Sequence, residues 1–253
     1  MAEGPLVHFY ADEIHEALEG KVVHVQFGIK KLKGRGKDLG GARVTRVEAL
    51  GKQFRIFFST DQVILVHLLM WGSWGVYGAE EEWDKPRKRA RLIIRADDAV
   101  VVAFSAPIVR LYADPEGMAE SRWGNSGPDP LRDDYSRQEA IRSMREEARR
   151  PIGIVIMDQT VLAGVGNILR NEILFLCGID PRRKVGELND EELEQLMITT
   201  EDLMRRWRDS IGKKKNWNVV YQRSGQPCPE CGTEIEFFRQ DDRVTYVCPE
   251  CQF

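Results

Sequence analysis

Apolar side chains at Leu6, Phe9, Tyr10, Ile14, Ala17 and Leu18 recur at helical spacing, which predicts a helix over Pro5–Leu18 with Gly20 as its stop. Proline suits the first turn of a helix, so Gly4-Pro5 reads as its opening. From Lys21 to Val101 the pattern changes to short β-rich runs: Val22–Val25, Ala42–Val47, Phe54–Phe58, Val63–Leu68 and Leu92–Ile94. Gly34, Gly36, Gly40, Gly41, Gly51 and Asp61 punctuate them, and Gly51-Lys52 falls at one turn. Strands spaced this closely predict a sandwich or barrel. The run Leu69-Met70-Trp71-Gly72-Ser73-Trp74 sets large side chains beside small ones at a strand end, and Trp71 and Trp74 are expected in the core.

Pro115–Asp134, rich in Gly, Pro, Asp and Ser, reads as a linker, and beyond it the chain turns helical. Ser136–Arg150 predicts a charged helix and Ile152–Met157 is an apolar run. Ala163–Cys177 is largely helical, and Asn189-Asp190-Glu191-Glu192 caps a helix that continues to Trp207. Near the end, Thr233–Phe238 and Val244–Val247 can pair as a hairpin across Gln240-Asp241-Asp242, which sets Arg243 beside the tip. The order of elements gives an α+β class: strands behind a leading helix, then helices, then a terminal hairpin.

A chain of 253 residues with 42% hydrophobic content fits one large or two modest domains plus a small module. The apolar stretch Val63–Trp71 is broken by His67 and is too short to span a bilayer. The N-terminus also lacks the basic-then-apolar pattern of a signal peptide. The expectation is a soluble intracellular protein, cytoplasmic or nucleoid-associated, with no membrane partner. A net charge of −3 counts mildly against a nucleic-acid ligand. Positive charge is nevertheless clustered, in Lys30–Lys37, in Lys85–Arg95 and in Arg205–Lys215. In the last block Arg205, Arg206, Arg208, Lys213, Lys214 and Lys215 face only Asp209, which gives 6 − 1 = +5. Local fields, not the sum, decide where phosphates settle.

Cys228-Pro-Glu-Cys231 and Cys248-Pro-Glu-Cys251 are separated by sixteen residues, 232–247, a spacing that reads as a site for one structural zinc ion. Four thiolates leave no open position, so this metal is not catalytic. The fifth, Cys177, lies in an apolar helical stretch as a small hydrophobe. The other end carries a second kind of chemistry. Once Met1 is removed, Ala2 presents a free α-amine next to Glu3. An α-amine titrates near ~7.8, far below a lysine, so it is a ready nucleophile toward an aldehyde-like carbon.

Ala163-Gly164-Val165-Gly166-Asn167, followed by Glu172 and then Gly178-Ile179-Asp180-Pro181, resembles the helix-two-turns-helix segment of the formamidopyrimidine-DNA glycosylase and endonuclease VIII family. Four further features fall in that family's order. Glu3-Gly4-Pro5 is similar to its N-terminal signature, Lys52 to its hairpin lysine, His67 and Met70 to its strand-end motif, and the ribbon with Arg243 to its zinc finger. The resemblance implies a β-sandwich with a leading helix over residues 1–130, a helix-two-turns-helix domain over 131–218 and a four-cysteine zinc finger over 219–253, acting as a monomer on damaged DNA lying between the domains. It implies attack by the Ala2 amine on C1′ of a flipped-out nucleotide, then strand cleavage by elimination. Glu3 would serve as proton donor, which calls for a pKa raised by burial. Lys52, Asn167 and Arg243 would hold flanking phosphates, and glycines 164 and 166 would let amides approach one. His67 would contact DNA, Met70 would fill the gap left by the extruded base, and Glu172 would play a supporting part.

The sequence also departs from the family. Ala2 replaces the usual proline, so the Schiff base is an imine that can lose its proton, and weak strand cleavage is expected. The pair of wedge residues of the formamidopyrimidine enzymes is missing from Asp114-Pro115-Glu116-Gly117-Met118. Gly153 stands where many relatives have lysine, and Trp207–Tyr221 is short for a lesion-capping loop. These point toward the endonuclease VIII side, with oxidised pyrimidine or hydantoin-like lesions. Two competing readings are a damaged-DNA-binding paralogue that has lost the prolyl nucleophile, and a zinc-ribbon protein binding nucleic acid without chemistry.

Overall fold

The computed structural model of the chain describes residues 2–213 and 218–253. Met1, whose removal the amine chemistry needs, and Lys214 and Lys215 of the third basic block lie outside the described residues, as does part of the Trp207–Tyr221 stretch. The chain divides into two compact units. One comprises Ala2 and Leu6–Asn125; the other comprises Glu3–Pro5 and Ser126–Phe253.

The first unit is a sandwich of two antiparallel sheets. β1 (His24–Phe27), β6 (Ala90–Arg95), β7 (Ala99–Phe104) and β5 (Ser73–Gly78) form one sheet, in the order β1-β6-β7-β5. β2 (Val44–Leu50), β3 (Gln53–Phe58), β4 (Val63–His67) and β8 (Ile108–Tyr112) form the other, in the order β2-β3-β4-β8. Alternation within each strand sorts side chains between two apolar layers. Phe54, Ile56, Phe58, Ile64 and Val66 enter the common core, while Phe57, Val63 and Leu65 face outward under Met118 and Trp123. β7 is buried along its whole length, as β3 is, whereas β8 is an edge strand that is only partly buried.

The leading helix, α1 (Gly4–Leu18), buries Val7, Ala11, Ile14 and Leu18 in the same core, and Gly20 ends the element with φ +73°. The buried stripe is therefore rotated from the one expected. Phe9 and Tyr10 are half-buried and meet each other edge-on at 5.6 Å. The 4-3-4 spacing of Val7, Ala11, Ile14 and Leu18 decides which face enters the core, not the size of the apolar groups.

In the second unit, α3 (Arg137–Glu146), α4 (Ile152–Val155), α5 (Asn167–Leu176) and α6 (Asp190–Ser210) share a core that includes Met144, Ile152, Leu169, Ile173, Leu193 and Met197. Asn189 caps α6 as expected: its side chain accepts the Glu192 amide hydrogen, and Glu192 returns the bond. The expected linker holds a short helix, α2 (Pro115–Ala119), with Asp114 as its cap and Pro115 in its first turn. The hairpin forms from β9 (Glu236–Gln240) and β10 (Arg243–Val247). Gln240 belongs to the first strand, and the turn is the pair Asp241-Asp242, both with positive φ (49° and 57°). That two-residue turn matches the twist of the strands, and Asp tolerates it better than most side chains. No helix among the described residues is long and apolar enough to cross a membrane.

Candidate functional site

Glu3 is completely buried, and its carboxylate takes over the start of α5. The amides of Gly166 and Leu169 each donate to Oε2 at 3.1 Å, and the Ile168 amide donates to Oε1 at 2.8 Å. Gly166, the residue in the cap position, makes no side-chain cap bond, so the acid that belongs at a helix N-terminus comes from the far end of the sequence. Two local needs explain the flanking glycines. The Gly4 amide donates to Gly164 O at 2.8 Å, and a Cβ on Gly4 would lie 2.8 Å from the Gly164 Cα; Gly164 itself has φ +96°. A Cβ on Gly166 would run into the Glu3 carboxylate. The expectation gave glycines 164 and 166 the task of approaching a phosphate, but in this structure the Gly166 amide serves Glu3. Ala2, the residue before Glu3, is 7% exposed and joins the sandwich core.

One face of α5 is polar and docks the ribbon. Asn167 Nδ2 donates to Val244 O at 3.0 Å, Asn171 Oδ1 accepts the Tyr246 amide at 2.6 Å, and Asn171 Nδ2 returns to Asn167 O at 2.6 Å. Arg170 lies between them, fully buried. It donates to Asn167 Oδ1, to Val244 O at 3.2 Å and to Gly153 O at 3.3 Å, and its Nε has no hydrogen-bond partner among the described residues. Burial, and then the neighbouring Arg243 charge, lower its pKa to about 10; Glu3, Asp241 and Tyr221 act in the opposite sense. Sequence reading missed Arg170. The available signal was an arginine three residues after Asn167 on a helix whose other faces are apolar. Arg243 itself is exposed beside the hairpin turn, opposite Gln240.

Glu172 is a second buried carboxylate that gathers amides. It accepts from Val219 and Tyr221, each at 2.8 Å, and from Val220 at 3.1 Å. Burial outweighs these bonds and raises its pKa. Gly153, where a basic residue was missing, has no room for one: a Cβ would strike the Gln240 side chain and lie 2.9 Å from Pro181.

In the first unit, Lys52 is half-exposed at the two-residue turn between β2 and β3, where Gly51 has φ +57°. His67 ends β4, and Leu69, Met70 and Trp71 follow it on an exposed turn. Here the sequence reading needs correction. Trp74 is in the core, edge-on to Phe54 at 5.2 Å, but Trp71 is 79% exposed. Leu69 at φ +49° reverses the chain, so strand alternation no longer dictates which side chains point inward. Met70, at 52% exposure, stands free for a role outside the core.

The four ribbon sulfurs lie within 4.8 Å of one another. Cys228 and Cys251 Sγ are 3.8 Å apart, and Cys231 and Cys248 Sγ 3.5 Å. Thiolates at about 2.3 Å around a tetrahedral zinc stand about 3.8 Å from each other, so the set fits one zinc ion with no ligand position left over. Gly232, at φ +79°, turns the chain after Cys231 so that its amide donates to Cys228 O at 2.9 Å. Cys177 is half-buried, its thiol pKa raised by burial, in keeping with an inert side chain.

Comparison with known proteins agrees with this arrangement. Residues 1–107 match the formamidopyrimidine-DNA glycosylase N-terminal domain, residues 126–214 the formamidopyrimidine-DNA glycosylase H2TH domain, and residues 225–252 the zinc finger found in FPG and IleRS. "Probable endonuclease 8 2" of Streptomyces coelicolor is 30% identical over 262 residues, 100% of this chain and 94% of its own. "Endonuclease 8" of Escherichia coli O1:K1 / APEC is 31% identical over 264 residues, 100% of both chains. The chain belongs to the formamidopyrimidine-DNA glycosylase and endonuclease VIII family. Among solved structures, Lactococcus lactis formamidopyrimidine-DNA glycosylase bound non-covalently to DNA containing an AP site superposes with a TM-score of 0.85 at 21% identity, covering 99% of each chain. The same enzyme with a FAPY-dG-containing DNA gives 0.82 at 20% identity and 98% coverage of each. Members of this family are DNA-repair glycosylases, and the ribbon of this member is its zinc finger.

Proposed function

We propose that this family member removes oxidised bases from DNA, of pyrimidine or hydantoin type, as a monomer that uses the α-amine of Ala2 as nucleophile. The observation that carries this reading is the anchoring of Glu3 by three amides at the head of α5, which fixes the residue next to the amine. In the proposed reaction the amine nitrogen bonds to C1′ of a flipped-out nucleotide while the base leaves with the electrons of its glycosidic bond. Glu3 supplies a proton to the opening sugar ring. The product is a Schiff base between Ala2 and C1′. Loss of a C2′ proton and expulsion of the 3′ phosphate would then break the strand. With alanine the Schiff base can shed its proton and become a neutral imine, a poorer electron sink than the iminium a proline must form. Strand cleavage is therefore the slow branch.

The remaining residues bind. Lys52 and Arg243 are cations with exposed surface, suited to phosphates flanking the lesion. An amide nitrogen carries two hydrogens, so Asn167 can keep Val244 O and still offer one to a phosphate. Met70 fills the space the extruded base leaves. The deciding experiment uses protein whose mass shows that Met1 is gone. Borohydride should trap it covalently on abasic DNA, and a lesion panel should show excision of oxidised pyrimidines or hydantoins ahead of 8-oxoguanine opposite cytosine. Binding to damaged DNA with no trapping and no excision would identify a non-catalytic paralogue instead.

A further inference from the structure

We infer that Gln159 is a positioning residue for the chemistry at the N-terminus: its side-chain amide closes the buried turn Gly164-Val165 on which Glu3 and Gly4 are seated, and so fixes the proton donor and the amine-bearing residue before it. The inference rests on the reading above that Ala2 and Glu3 carry the reaction.

The turn ahead of α5 has backbone groups that the helix does not serve. Gly166 O is the first carbonyl of the α5 ladder, accepting the Arg170 amide at 2.9 Å, so Gly164 O and Val165 O lie outside it. Residues 163–166 are all buried, where an unpaired backbone group is costly. The N-terminal segment serves one of them: the Gly4 amide donates to Gly164 O at 2.8 Å, while the Glu3 carboxylate takes the amides of Gly166, Ile168 and Leu169. Gln159 serves two more. Its Oε1 accepts the Gly164 amide at 3.0 Å, and its Nε2 donates to Val165 O at 3.0 Å and to Met157 O at 2.7 Å.

Those three bonds use both hydrogens of the amide nitrogen and a lone pair of its oxygen. The reverse orientation would set Nε2 against an N–H and Oε1 against two carbonyls, so the network itself fixes which way the side chain points. Gln159 is anchored from behind, because its own carbonyl accepts the Gly127 amide at 2.8 Å, and the neighbouring Ala163 amide donates to Pro128 O at 2.9 Å. Gly164, at φ +96°, has no side chain with which to hold the turn, and a Cβ there would lie 2.8 Å from Met204 Cε. Glu3 and Gly4 are consecutive, so the amides at the head of α5 and the Gly164 carbonyl fix two points of one short segment, and Gln159 sets the second. Two fixed points define a direction, which is what an amine approaching a sugar carbon needs; a displacement of about 1 Å can cost about 100-fold in rate.

Replacing the side chain separates this role from a contribution to folding alone. Gln159→Met keeps the length and removes all three bonds, and Gln159→Glu keeps an acceptor for the Gly164 amide but turns the donor into an oxygen facing two carbonyls. With Met1 shown absent by mass, we expect both variants to form the borohydride-trapped adduct with an abasic duplex at least about tenfold more slowly than the wild type at saturating protein. Affinity for a duplex containing tetrahydrofuran, an abasic analogue that cannot form a Schiff base, should stay within about threefold. Met144→Ala, which empties a site in the core of the same unit, should unfold earlier and trap at the wild-type rate. In the free wild type the Gly164 and Gly4 amides should exchange slowly with deuterium, and about tenfold faster or more in Gln159→Met. Wild-type trapping by Gln159→Met, parallel loss of trapping and of tetrahydrofuran affinity, equal slowing in Met144→Ala, or fast Gly164 exchange already in the wild type would overturn the inference. Should the wild type itself form no adduct, the glycosylase reading fails, and the Gly4 and Gly164 exchange rates still decide whether Gln159 seats the N-terminal segment.

Discussion

Glu3 and Leu169 stand 166 positions apart in sequence, and the Leu169 amide donates to Glu3 Oε2 at 3.1 Å. The acid expected to do chemistry is thus also the N-terminal cap of the helix that opens the helix-two-turns-helix segment. Glu3→Gln keeps the shape but turns one of the two acceptor oxygens into a donor that faces backbone N–H groups. We expect it to lose about 1–3 kcal/mol of folding stability and, through loss of the proton donor, at least about 100-fold in base excision. Denaturant unfolding and single-turnover excision measure the two separately. Unchanged excision would remove Glu3 from the chemistry while leaving its cap role intact.

The joint pattern that identified the family was legible because its parts are punctuation: Glu3-Gly4-Pro5, Gly164-Val165-Gly166-Asn167 and the paired Cys-Pro-Glu-Cys knuckles. Each marks a place where backbone must come close to something, and backbone demands show in sequence as glycine, proline and cysteine. β7 and β8 were less visible: β7 is a continuous apolar run without alternation, and β8 is a partly exposed edge strand whose partner, β4, lies well back in the sequence. Arg170 was missed for a related reason. Nothing local says that an arginine on a helix will be enclosed by a ribbon arriving 74 residues later. Trp71 was misread because a large aromatic beside small residues at a strand end was taken for core, and nothing local shows that Leu69 turns the chain there.

Trp71 offers a clean separation of folding from binding. At 79% exposure its removal should change stability by less than about 0.5 kcal/mol. If the turn meets bases, Trp71→Ala should weaken binding to a lesion duplex by about 1–3 kcal/mol, the range for loss of aromatic stacking on a base. A thermal melt and a titration with labelled duplex suffice. A variant that melts early and binds normally would return Trp71 to a structural role.

The low pKa of His67 also sets a pH dependence of stability. Burial, and then the Lys52 charge, set its folded pKa at about 4, below the ordinary 6.5, so between these values the unfolded chain binds the proton more readily than the folded one. The stability contributed by the neutral ring is fully present above about pH 6.5 and is lost as pH falls toward about 4, to the extent of at most ~3 kcal/mol. His67→Asn has no titrating group there, so the difference in unfolding free energy between the two proteins should narrow or change sign as pH falls from 7 to 4. Parallel curves over that interval would mean that the ring titrates normally in the folded protein.

Zinc removal tests how the ribbon presents Arg243. β10 is tied to α5 through Asn167, Arg170 and Asn171, while the turns that carry the four sulfurs define the other end of the ribbon. Structural zinc of this kind contributes on the order of 10 kcal/mol to the fold that holds it. A chelator, or Cys231→Ser, should release one zinc per chain, expose the β10 amides to exchange and weaken DNA binding steeply, with the helical signal of α6 preserved. Retention of full DNA affinity by metal-free protein would show that the hairpin arginine is not needed for binding.

Ala2 is one of the positions at which this chain departs from the pattern of its family. Ala2→Pro converts the primary amine to a secondary one, whose Schiff base cannot shed a proton from nitrogen and stays cationic. A cationic iminium draws electrons from the C2′–H bond more strongly, so elimination should gain on base release. With Met1 confirmed absent by mass in both proteins, we expect the ratio of nicking to base excision on an oxidised-pyrimidine duplex to rise by about tenfold or more in Ala2→Pro, equivalent to about 1.4 kcal/mol in the elimination barrier. Base release should change less, since both amines can attack C1′. Tight coupling of the two steps already in the wild type, with no gain from proline, would place the limit on strand cleavage elsewhere, in the base that removes the C2′ proton or in product release, and not in the electronic character of the nucleophile.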